Sequence, residues 1–101
     1  MLFLLIGCVR LIHPTQAHVD WAQQQWPDTT LEILESGRKS YTQRCAECHA
    51  LVPPAEHSPE EWPRYIQAMI KKQGVELSAT EQDQILRYLS AASAIPVPPK
   101  E

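Results

Sequence analysis

Cysteine is scarce in this chain. Among 101 residues there are three, an odd number that does not make a disulfide framework. Long apolar runs are missing too. The most apolar stretch, residues 1–12, reads MLFLLIGCVRLI; it is far too short to span a bilayer, and Arg10 interrupts it. Basic clusters are absent, with no run of Lys or Arg longer than two. Together with a formal charge of −3 from 9 basic and 12 acidic residues, this leaves no footprint for nucleic acid as a partner. Methionine occurs once beyond Met1, at Met69. Strand-like alternation is missing throughout, as are internal repeats, so the expected class is all-α. A chain of this length with 44 % hydrophobic residues supports one domain. A core that small usually needs a staple, whether a disulfide, a metal or a large cofactor.

The apolar start resembles the core of an export signal. Two processing sites compete in it. Leu5-Ile6-Gly7-Cys8 looks like a bacterial lipobox, in which Cys8 is lipidated, becomes the mature N-terminus and holds the chain to a membrane. Thr15-Gln16-Ala17 looks like a small-residue cleavage site, with the mature chain beginning at His18. An N-terminus left uncleaved, as an anchor or without function, is the third reading; the main readings all put the folded part outside the cytoplasm, in the periplasm or on the outer face of a bacterial membrane.

Residues 1–17 are therefore an export or lipoprotein-type N-terminus and 18–28 an extension or linker, with a short helix expected over residues 19–25. Trp21 and Trp26 are isolated apolar points in this polar stretch. Three S/T-x-x-E boxes follow, each the signature of a capped helix start. Thr29…Glu32 opens a helix running to about Cys45, with Leu34, Gly37, Tyr41 and Cys45 along one stripe. Ser58…Glu61 opens a second, with Pro59 at the favoured first position and Trp62, Ile66, Met69 and Ile70 on one side. Lys71, Lys72 and Gly74 close it. Ser78…Glu81 opens a third, with Ile85, Leu86, Leu89 and Ala92 toward a core and Tyr88 flanking. Residues 94–101 form a proline-rich tail.

The chemistry is concentrated in Cys45-Ala46-Glu47-Cys48-His49. CxxCH is the attachment motif for covalent haem. Two thiols three residues apart reach the two vinyl groups on one porphyrin edge, and the adjacent histidine lies under the iron. A redox CxxC expects a βαβ context, which is missing here. Zinc needs four ligands, for which Cys45, Cys48, His49 and His57 are the candidates.

The stretch from Gly37 through Tyr41 to Cys45-Ala-Glu-Cys48-His49 resembles the start of a class I cytochrome c domain. A small residue and an aromatic stand eight and four positions before the first cysteine. Arg87-Tyr88-Leu89 is similar to the aromatic-leucine element of that family's last helix. The resemblance covers about residues 29–92. It implies a small bundle of three main helices around one haem c over residues 29–93, with the glycine letting the first helix cross closely over the last. It further implies that Pro53 or Pro54 offers a carbonyl to the proximal histidine. Trp62-Pro-Arg-Tyr-Ile-Gln-Ala-Met69 resembles a short-cytochrome pattern with a tryptophan ahead of the ligand, and it implies Met69 as the sixth iron ligand. His57 is the rival and an open iron the third option. His57 also fits a purely packing role, stacking on Trp62 ahead of the helix. Arg44, Arg64 and Tyr65 are candidates to meet the haem propionates.

No nucleophile–base pair or paired-carboxylate site stands out. The expected activity is therefore not an enzyme's but the carriage of single electrons between protein partners. A haem-based ligand-binding or sensor protein, or a cytochrome subunit of a larger oxidoreductase, are the alternatives.

Overall fold

The computed structural model describes residues 11–45 and 51–96. Cys8 and the lipobox, Cys48, His49 and the tail's Pro98 and Pro99 lie outside the described residues. Those described form four α-helices and no strand: α1 (Gln16–Gln23), α2 (Leu31–Ser40), α3 (Trp62–Gln73) and α4 (Ala79–Ala94). A π-helical turn, Tyr41–Cys45, prolongs α2, and a 3-10 turn, Pro54–Glu56, precedes α3. None of these helices is long and apolar enough to cross a membrane.

The helix starts follow hydrogen-bond supply. At α4 the expected box forms: Glu81 N–H donates to Ser78 Oγ (3.0 Å) and Ser78 N–H to Glu81 Oε1 (2.9 Å). Those bonds from Ser78, with Arg44 3.2 Å away, hold the Glu81 carboxyl below its usual range. The same reciprocal pair forms between Ser58 and Glu61 (3.2 and 2.9 Å), but residues 59–61 are a turn and the regular helix begins at Trp62. Gly74 closes α3 in the left-handed region (φ 73°), which costs a glycine little.

The α2 start differs by one residue from expectation. Thr30, not Thr29, is the N-cap, accepting from Ile33 N–H at 3.1 Å. Thr29 is committed elsewhere. It is buried, its hydroxyl donates to the Trp26 carbonyl (2.7 Å) and it accepts from Arg87 Nη1 (3.0 Å). Arg87 also holds Asp28 at 2.9 Å and lies over the Trp26 ring. The loop before α2 is thus fastened to α4, and Thr30 is the first residue left to cap. The first helix also differs. It begins at Gln16 and ends at Gln23, rather than spanning 19–25.

The central helix is α4, buried on most sides from Arg87 to Ala92, as a helix surrounded by others must be. The α2 helix lies across it at Gly37, as the resemblance implies. A Cβ built there would stand 2.1 Å from the Gln84 carbonyl oxygen and 2.9 Å from Tyr88 Cβ, so the helices meet backbone to backbone. One core joins Leu11, Tyr41, Cys45, Trp62, Ile66, Met69, Val75, Ile85, Tyr88, Leu89 and Ala92. The Tyr88 phenol is pushed up to about 12, mainly by burial.

Candidate functional site

The α2 stripe decides where Cys45 goes. Leu34, Gly37, Tyr41 and Cys45 recur at helical spacing, all are buried, and the stripe faces α4. The π-helical turn carries Cys45 into the core, where it is 1 % exposed. Such turns inside helices occur frequently at functional sites. Cys48 and His49 follow outside the described residues. The chain is described again from Leu51, and there Tyr41 receives it: its hydroxyl donates to the Val52 carbonyl (2.6 Å) and accepts from Val52 N–H (3.1 Å). Tyr41 therefore fastens the far end of the segment that carries Cys48 and His49. Burial above all, then the nearby Cys45, pushes the Tyr41 phenol well above its ordinary value, so the hydroxyl stays protonated as a donor.

Trp62 is the next support. It is fully buried, and its indole N–H donates to the Pro54 carbonyl at 2.9 Å. The Pro53 carbonyl accepts from Glu56 N–H at 3.0 Å. Around the indole stand Tyr41 (ring centroids 6.2 Å apart), Tyr65 (5.4 Å) and His57 (4.9 Å), all edge to face. This is a favoured arrangement for aromatic pairs. His57 is placed to pack on this aromatic group. It stacks on Trp62, lies 4.3 Å from the Tyr65 ring, and has Glu61 Oε1 3.8 Å from its Nδ1. Its backbone carbonyl accepts from the Ser93 hydroxyl.

Met69 comes two turns after Trp62 and shares its face of α3. It is 4 % exposed and belongs to the same core as Cys45 and Trp62. It also borders a hollow of about 210 Å³ with Tyr65, Ala68, Lys72 and Gln73. A second hollow of about 290 Å³, lined by His57, Glu61, Arg64, Tyr65 and Ala68, shares Tyr65 and Ala68 with the first. Tyr65 thus borders both hollows, one with Met69 and the other with Arg64. Arg44 borders neither; it pairs with Glu81 on α4. The chain matches no protein-family model, no curated protein and no solved structure.

A thiol that covalent attachment would use and a thioether that could ligate iron, those of Cys45 and Met69, are buried in one apolar core. Among the described residues no three His, Cys, Asp or Glu side chains cluster as a metal site. Two supports escaped the sequence reading. A buried indole N–H must find an acceptor, a signal that could have pointed to a partner for Trp62 without naming Pro54. The Tyr41–Val52 pairing had no local signal, because it closes across the motif itself.

Proposed function

We propose that this chain is a small exported monohaem c-type cytochrome that carries single electrons between protein partners. Cys45 and Cys48 would attach the haem, and His49 and Met69 would hold its iron. The observation that carries this reading is the pairing of the CxxCH motif with a lone internal methionine that is buried in the same core as Cys45. When bound, the haem supplies an iron that gains and releases one electron at a time. The rest is the work of the chain's own residues. Cys45, delivered by the Gly37–Tyr41 stripe, anchors one edge of the group. Tyr41 steadies the segment bearing His49 by gripping Val52. Met69 is buried in one core with Tyr41 and Trp62, and a thioether ligand would favour the reduced iron relative to a second imidazole. Arg64 and Tyr65, which line one hollow together, would offer polar partners to the haem's carboxylates.

The ligand assignment is tested with Met69→Leu, which conserves volume and should cost the fold less than about 1.5 kcal/mol. In the haem-loaded protein the red-edge thioether-to-iron charge-transfer band should vanish, the reduction potential should fall, and the iron should begin to bind carbon monoxide without denaturation. His57→Ala should leave all three unchanged. A Met69→Leu spectrum that stays low-spin, or native protein that binds carbon monoxide directly, would overturn Met69 and favour His57 or an open site respectively.

A further inference from the structure

Residues 11–15 pack as a strap across the junction of α2 and α4. Leu11 is 6 % exposed and lies in the same core as Cys45 and Tyr88. Its carbonyl accepts from Arg38 on α2, at 3.3 Å from Nε and 3.2 Å from Nη2. The next carbonyl, of Ile12, accepts from the buried Tyr88 hydroxyl on α4 at 2.7 Å. Pro14 is buried. Thr15 then starts α1, its carbonyl accepting from His18 and Val19 N–H (3.0 and 3.1 Å).

His18 locks the strap to the far end of the chain. It is 1 % exposed. Its Nδ1 accepts from Thr15 N–H at 2.9 Å, so Nε2 carries the proton and donates to the Ile95 carbonyl at 2.9 Å. Cleavage after Ala17 would remove Leu11 from the core and strip Tyr88 and Arg38 of their acceptors. It would also delete the first turn of α1 and leave a charged α-amino group on a buried histidine. Each of these is costly: the cavity and the orphaned donors by known amounts, the buried charge more so.

We infer that the working protein keeps residues 11–17, and that any processing of the N-terminus falls before Leu11. Of the two processing sites in the sequence, the one at Cys8 leaves the strap whole and the one after Ala17 destroys it. The inference rests on the export reading only for there being any processing at all; the strap itself rests on packing.

The test is the intact mass and N-terminal sequence of the protein purified from a host that exports it, with unfolding of the full chain as a second arm. The mature chain should begin at or before Leu11. Leu11→Ala in the full chain should lower the thermal midpoint on the order of 10 °C, and Tyr88→Phe by a smaller, measurable step. A mature N-terminus at His18, or midpoints unmoved by both substitutions, overturns the inference. A chain that still begins at Met1 but shows both shifts supports the strap, and it is the export reading that then fails.

Discussion

Trp62→Ala should destabilise the protein by about 3–5 kcal/mol, a large share of what a domain this size has. The indole is wholly buried and touches Tyr41, Tyr65 and His57, so its loss opens a cavity where α3 meets the turn after the motif. It also leaves the buried Pro54 carbonyl without its indole donor. Trp62→Phe separates the two effects. It refills most of the volume and removes only the hydrogen bond, so it should cost about 1–2 kcal/mol beyond the small volume change. Equilibrium denaturation at unchanged m-value reads both. A loss below about 1 kcal/mol for Trp62→Ala would mean that α3 is not seated on the core by this side chain.

Gly37→Ala should reverse the usual sign. In an exposed helix interior this change stabilises by about 0.5–1 kcal/mol, because alanine loses less backbone freedom on folding. Here the added methyl would stand 2.1 Å from the Gln84 carbonyl oxygen, a backbone atom that cannot swing away. The helices must separate, which unpacks Leu34, Tyr41 and Cys45 from α4. The expected loss is on the order of 3 kcal/mol, at the upper end of overpacking effects. Ser36→Ala, one position earlier and exposed, is the control and should fall within about 0.5 kcal/mol of the parent. A stabilised Gly37→Ala would contradict the backbone-to-backbone crossing. Since Cys45 lies at the end of the same stripe, the variant should also incorporate haem poorly if the proposed function holds.

Those two residues mark what could be read in advance. The all-helical class and the Ser58 and Ser78 boxes follow from local rules, because a capping box is complete within four residues. Gly37, Tyr41 and Cys45 share a stripe by spacing alone, and the close crossing at Gly37 was implied by resemblance. Local rules failed where distant partners intervened. Thr29 has the same capping chemistry as Thr30, and only the arrival of Arg87 from α4 decides between them. The α1 helix begins earlier than expected because residues 11–15 are held by Arg38, Tyr88 and, through His18, Ile95. No periodicity in residues 11–18 announces contacts 27 to 77 residues away. At the site, one core takes in both Met69 and Cys45, two residues that the sequence connects only through a haem.

Covalent haem at Cys45 and Cys48 would show in the intact mass of the protein. The chain is expressed with a c-type maturation system, exported, and weighed under denaturing conditions alongside an alkaline pyridine spectrum. The prediction is one haem added per chain, not extractable by acidified organic solvent, and wholly lost in the Cys45→Ala/Cys48→Ala double variant. A chain of bare polypeptide mass, or haem that washes out on denaturation, would contradict it.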